Sequence, residues 1–294
     1  MSLPTLPNTP LPSAPNSPIK MSSPNDVSTG ASSSTAFETK SKPLSFAEEI
    51  GFDVVHITVG STVKKTFVVY KAPLCHKVAY FDHMFNGNWR EAQSQTANLP
   101  EDVCEAFALF VIWVIKDKIE LPVNSETDSS IPTLIHLFAF AEKYNITTLA
   151  DQTLERLSTL MLESDCLPIP SDIELAYDIT HENSKLRSFM LKLFVYITFH
   201  SDESEDVYGW SKATMQPLMQ SCTDLCTDFF ATIFGQGAQE KKDPRGELGC
   251  DLHQHREDED CPYKQLASPT HVKPMLRKGS TSKKSGSPLK KRKR

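Results

Sequence analysis

Two β-rich runs joined by a glycine turn, one further short strand, and helical periodicity from there on constrain the fold of this chain most strongly. Val55, Ile57 and Val59 alternate with Val54, His56 and Thr58, the period-two pattern of a strand buried on one face. Gly60-Ser61 supplies a turn, and residues 66–70 (TFVVY) form the second run, so a hairpin is expected. Pro73 then falls near the first turn of a helix, where its missing N–H costs little. Tyr80, Phe81, Met84 and Phe85 make an apolar stripe closed by Asn86-Gly87-Asn88, and residues 96–99 form the third strand.

The helical part begins where Pro100, Glu101 and Asp102 place a proline and two acids in the expected first turn of a long helix, as the helix dipole favours. Val103, Phe107, Phe110, Val111 and Val114 are its apolar positions. Residues 123–130 read as a polar loop. Leu134, Leu137, Phe138 and Ala141 form the next stripe, and Asn145 separates it from Ile146, Leu149, Thr153, Leu157 and Leu160. Thr148 with Asp151, and Ser171 with Glu174, have capping-box spacing. Residues 184–199 are apolar nearly all round, which predicts a central buried helix. An acidic loop follows at residues 202–206, and residues 223–234 form the last helix, with Cys222 and Cys226 as small core residues. The order is α+β.

Composition separates this body from its ends. Hydrophobic residues make up 39% of the 294, below the roughly 45–50% usual for a globular domain, so part of the chain is expected to stay unfolded. Residues 1–45 are a Pro/Ser/Thr tract that cannot bury enough apolar surface to offset its ordering entropy. Thr9-Pro10, Ser17-Pro18 and Ser23-Pro24 within it are minimal sites for proline-directed kinases. Past residue 237 the chain is polar and is expected to be a second disordered arm. Eleven of the 31 basic residues lie in residues 262–294, which contain no acid; the remainder keeps 20 against 37 acids, a net of −17. An acidic body carries a basic tail.

These features exclude several classes. The longest apolar runs, residues 107–115 and 189–199, fall short of the ~20 residues a membrane helix needs. The first 43 residues lack a basic-then-apolar leader pattern. Seven scattered cysteines do not suggest a secreted disulfide framework, so the chain reads as intracellular with reduced thiols. Adjacent Cys75 and His76 do not face each other on a helix, which disfavours a nucleophilic pair. Acids fall in runs such as residues 257–260, which read as solvated charge. No enzyme is expected.

The stretch FVVYKAPLCHKVAYFDHMF, residues 67–85, resembles the BTB/POZ domain. The family pattern is an Asp with an apolar strand, Phe-x-Val-His-Lys, Leu-x-x-x-Ser-x-x-Phe, a Glu, and a Phe-rich helix ending in an aromatic-Tyr pair. Its counterparts here are residues 53–59, 67–71, 74–81, Glu91 and residues 107–115. Tyr70 replaces the usual His, Val78 or Ala79 the usual Ser, and Ile115 the usual Tyr; the first two keep the hydrophobic pattern. The flanking words FNGNWREAQSQTANLPEDVCEAFALFVIWV and LFAFAEKYNI look most like BTB proteins abundant in filamentous fungi. The resemblance implies a three-stranded sheet packed with helices over residues 46–165, a helical extension over residues 166–236, and disordered termini at 1–45 and 237–294. It also implies that Asp53 and Lys71 lie near one charged pocket. Its functional implication is a protein-interaction module, an adaptor or scaffold that forms a homodimer or docks a cullin ubiquitin ligase scaffold. No substrate-capturing kelch, zinc-finger array or MATH module follows, so an adaptor lacks its second half.

Two motifs stand outside that resemblance. Lys283-Lys284 and the run Lys290, Lys291, Arg292, Lys293 and Arg294 have the composition of a nuclear localisation signal read by an import receptor. A nuclear location is expected, with a cytoplasmic pool the second expectation. The alternative for the same cations is a chromatin or nucleic-acid-associated regulator that grips phosphates without sequence preference. Cys250, His253, His255 and Cys261 offer soft thiolates and imidazoles of the kind zinc prefers, although their spacing is not that of a standard finger. Zinc aside, no cofactor is expected.

Overall fold

The computed structural model describes residues 51–122, 127–200, 210–236, 242–245, 248–254 and 261–263. The alternation of branched residues makes β1 (Val54–Val59) the middle of a three-stranded sheet, with Val55, Ile57 and Val59 buried beneath it. β2 (Lys65–Tyr70) pairs with it antiparallel and β3 (Thr96–Leu99) parallel, giving the order β2-β1-β3. Gly60 makes the exit from β1, with φ +95° and its N–H on Leu99 O at 3.0 Å. A Cβ there would lie 2.2 Å from Val63 O, so only glycine fits.

Three helices link β2 to β3 or precede it: α1 (Lys71–Lys77), α2 (Ala79–Asn86) and α3 (Arg90–Ser94). Beyond β3 run α4 (Cys104–Lys116), α5 (Thr127–Lys143), α6 (Thr147–Glu163), α7 (Pro170–Ile179), α8 (Lys185–His200), α9 (Lys212–Ser221) and α10 (Thr223–Gln236). The α+β class, the hairpin and the three-stranded sheet are as expected. Residues 1–45, with their Ser/Thr-Pro pairs, lie outside the described residues, as does the acidic loop at 202–206.

Aromatic packing fixes α4 between the sheet and the later helices. Phe107 lies 4.9 Å from Phe67 of β2 and 5.7 Å from Phe140 of α5, ring centre to ring centre. Phe110 adds Phe81 at 5.8 Å and Phe140 at 4.8 Å. α8 is the buried helix that its sequence predicts, with Leu186, Phe189, Met190, Leu193 and Phe194 inside. α7 packs on α5 across the boundary expected at residue 165, and one core runs from Val55 to Leu252. No helix among the described residues is long and apolar enough to cross a membrane.

Several helix ends differ from expectation because distant partners outcompete local ones. α4 starts at Cys104, so Pro100, Glu101 and Asp102 precede it. Asp102 instead accepts from the Tyr144 hydroxyl at 2.7 Å and pairs with Lys143 at 3.2 Å. α5 begins at Thr127, inside the stretch read as loop; residues 123–126 are outside the described residues. α6 begins at Thr147, which puts Asp151 inside the helix rather than in a capping box. α7 is capped by Asp172, whose carboxylate accepts from Ile169 N–H at 3.0 Å, rather than by Ser171 and Glu174. α9 forms in a stretch for which no helix is expected, and Pro217 lies within it. Cys222 and Cys226 are only half-buried around the start of α10.

Past Gln236, where a disordered arm is expected, a few described stretches are packed: Arg245, Leu252, His253 and Cys261 are buried. A polar segment docks when its groups find partners, and those partners lie on α6 and α8.

Phe107→Ala removes a fully buried ring from the junction of sheet and helices. The expected cost is about 3–5 kcal/mol, read from the shift in a urea unfolding transition. A loss under about 1 kcal/mol would show that the site collapses or that Phe107 is not central.

Candidate functional site

The sheet has one face in the core and one in solvent, as an antiparallel hairpin permits. The register places Val54 against Tyr70, His56 against Val68 and Thr58 against Thr66 on the outer face. Val68 is 59% and Tyr70 44% exposed, and Phe52 just before β1 is 93% exposed. An apolar strip is therefore held on the outside of a rigid sheet.

Asp53 and Lys71, the residues expected near one charged pocket, are backbone neighbours at the end of this strip. Lys71 N–H donates to Asp53 O at 2.9 Å, closing the hairpin where the strands enter and leave. The Lys71 ammonium donates to Phe85 O at 3.1 Å, near the C-terminus of α2, where the helix dipole favours a cation. The two residues are thus joined through their backbones, and the ammonium serves a helix end. Cys75 is buried, and burial, helped by the charge of Asp82, pushes its thiol up; His76 is exposed. This pair does not converge on a common reactant.

A second constellation is built by the segment past α10. Arg245 reaches the C-terminus of α6. Asp165 there has φ +47°, and Cys166 N–H returns to Met161 O at 2.9 Å, a Schellman-type ending that leaves carbonyls to be capped. The Arg245 guanidinium donates to Cys166 O at 2.5 Å and is held by Asp243 at 2.7 Å. Ser158 donates to Arg245 O at 2.9 Å. Further on, Asp251 pairs with Lys192 of α8 at 2.6 Å, and Lys185 donates to Asp251 O at 2.7 Å. Gln254 N–H donates to the buried Asp151 at 2.8 Å.

Between these ties lie the expected metal donors. A ligand atom from each of Cys250, His253 and Cys261 falls within 4.8 Å of the other two. His253 Nδ1 is 3.4 Å from Cys261 Sγ, while Nε2 is 2.9 Å from Glu155 Oε1 on α6. The Tyr263 ring packs on the imidazole at 4.7 Å. Burial pushes the Glu155 carboxyl above its ordinary range, and the His253 hydrogen bond pulls it part of the way back. His255 lies in residues 255–260, outside the described residues. Lys283, Lys284, Lys290, Lys291, Arg292, Lys293 and Arg294 are also outside the described residues. Sequence reasoning missed Glu155, Asp151 and Arg245; only a pairing of distant charges would have signalled them. None of the seven cysteines is in a disulfide.

A mixed three-stranded sheet with helices on its inner face, carrying exposed apolar side chains on its outer one, defines a small α+β domain. Residues 45–160 match the family model of the BTB/POZ domain. This part of the chain is a BTB/POZ domain, a protein-interaction module whose kind mediates protein–protein contacts and dimerisation and is generally non-enzymatic. A comparison with curated proteins finds no match for the chain.

Arg245→Ala should lower stability by about 1.5–3 kcal/mol, the worth of a charged hydrogen bond. Limited proteolysis should then cut first beyond Gln236. An unchanged melting temperature together with an unchanged cleavage pattern would contradict the capping role.

Proposed function

We propose that this chain is a nuclear adaptor or scaffold that captures other proteins through its BTB/POZ domain and catalyses nothing itself. The match of residues 45–160 to that interaction domain is the observation that carries this reading. The exposed strip of Phe52, Val68 and Tyr70 supports it by offering apolar area on a rigid sheet, because surface apolar groups gathered together mark contact sites. A second copy of the chain is the first partner, and a cullin scaffold is the second, with the helices past Glu163 extending the surface it would touch. Asp53 and Lys71 lie at the end of the strip and would supply charged contacts there.

Light scattering of the full chain at micromolar concentration should give nothing larger than a dimer. Val68→Glu combined with Tyr70→Glu should shift the population to monomer while leaving the melting temperature unchanged. A large stable oligomer, or a double variant that associates like the parent, would overturn this assignment of the surface.

The location rests on the basic run. An import receptor needs several unneutralised cations on an accessible strand, and residues 262–294 contain eleven cations and no acid. In a fluorescent fusion too large to diffuse passively, changing Lys290, Lys291, Arg292, Lys293 and Arg294 to Ala should abolish nuclear accumulation. Unchanged accumulation would remove this run as the signal. Ser287-Pro288 lies beside the run, and a phosphate there would add about −1.5 to −2 charges and oppose import. DNA retention that falls with salt and disappears when residues 283–294 are deleted would instead favour the nucleic-acid-associated reading.

A further inference from the structure

We propose that Cys250, His253 and Cys261 bind a zinc ion that clips the segment past Gln236 onto α6 and α8. The donor chemistry comes first. Two thiolates and one imidazole are the soft ligands that favour zinc over magnesium or calcium. Together they occupy three corners of a tetrahedron and leave the fourth to water or another donor.

The geometry agrees with that chemistry. Bond lengths of about 2.3 Å to sulfur and 2.0–2.1 Å to nitrogen give a tetrahedral S···N edge of about 3.5 Å. His253 Nδ1 and Cys261 Sγ are 3.4 Å apart. No pair of donor atoms exceeds 4.8 Å, so an ion would draw the widest pair together by at most about 1 Å. The exposed Cys250 follows Gly249 and opens a short 3-10 turn, Cys250–Leu252, so its side chain has room to move.

The orientation of His253 is the independent observation. Its Nε2 faces Glu155 at 2.9 Å, and its side chain is 1% exposed. With Nε2–H donating to that carboxylate, the Nδ1 lone pair is directed at the thiols. A ligating histidine characteristically donates its other ring nitrogen to a carboxylate, which fixes the tautomer and raises the basicity of the ligating atom. Glu155 is the positioning residue here, and Tyr263, packed against the ring in a tilted contact, limits its rotation. Hydrogen bonds from Gln254 to Asp151 and from Lys185 to Asp251 O hold the backbone on either side. The ligands come from two stretches of chain, so the ion ties Cys261 to the turn and, through Glu155, both to α6.

The test uses the full chain purified under reducing conditions and dialysed against a weak chelator. Elemental analysis should find one zinc per chain. Cobalt in its place should give the visible absorption of a tetrahedral thiolate site. Cys250→Ser, a change at an exposed position, and Cys261→Ser should each abolish this, whereas Cys226→Ser should not. Glu155→Gln should keep the site but weaken zinc binding by about 10–100-fold. Strong chelation should raise amide exchange in the described residues between 248 and 263 while leaving β1 protected. Metal-free protein with reduced thiols would overturn the proposal. So would a Cys250–Cys261 disulfide in its place, or zinc that survives both cysteine substitutions.

Discussion

Four rings meet around Phe110: Phe81 of α2, Phe107 and Trp113 of its own helix, and Phe140 of α5. Aromatic side chains bury large areas and pack in restricted tilted or offset geometries, so this contact sets distance and angle together. Through Phe107 and Phe67 it reaches β2, and through Phe140 and Tyr144 it reaches Asp102. Both sides of the domain are thereby referred to one helix. The sheet needs no second helical layer on its outer face, and Val68 and Tyr70 stay available there.

Once the rings have fixed the helices, their carbonyl ends must be satisfied, and the chain does this repeatedly with a cation from elsewhere. Lys71 donates to Phe85 O for α2, and Lys77 to Trp113 O at 3.3 Å for α4. Arg187 donates to Tyr177 O and Thr180 O, both at 2.6 Å, for α7. Arg245 does the same for α6. A positive charge at a helix C-terminus is favourable both as a hydrogen-bond donor and against the dipole. These are also tertiary ties, since each donor belongs to a different element from the helix it caps. One buried group is less well served: Glu142 Oε2 has no hydrogen-bond partner, and burial pushes that carboxyl up against the hydrogen bond from Ser184 and the charges of His181 and Arg187.

That pattern explains which parts of the structure were legible in the sequence. Periodicity reports how a segment meets a core, and it located β1, β2, β3, α4, α6 and α8. Capping was read from neighbours three residues apart, and it failed where the true partner was far away. Asp151 has the spacing of a cap but accepts from Gln254, and Asp102 has the place of a dipole partner but accepts from Tyr144. Asp53 and Lys71 are joined through their backbones, and nothing local shows that the ammonium belongs to Phe85. The Cys/His donors were visible as residue types. Their orienting carboxylate, Glu155, lies 98 residues from His253 and was not.

The segment past Gln236 escaped for a related reason, and its energetics say what must hold it. Fixing each residue's backbone costs about 1–2 kcal/mol, while a typical net hydrogen bond returns only about 0.5–1.5 kcal/mol. One hydrogen bond per residue therefore does little more than offset the ordering. Apolar burial, the usual surplus, is scarce here: Leu252 is the one large aliphatic side chain fully enclosed between residues 248 and 254. Fully burying it is worth about 1.5–3 kcal/mol. Exposed pairs such as Lys192–Asp251 add little in water. A segment this polar stays docked only if some interaction strongly favours the folded arrangement, and the zinc proposed above would supply that, because its ligands would be assembled by folding and its binding energy would become folding energy. On that proposal, the two cysteines and the histidine would let a sequence with the composition of a loose tail hold one place on the helices.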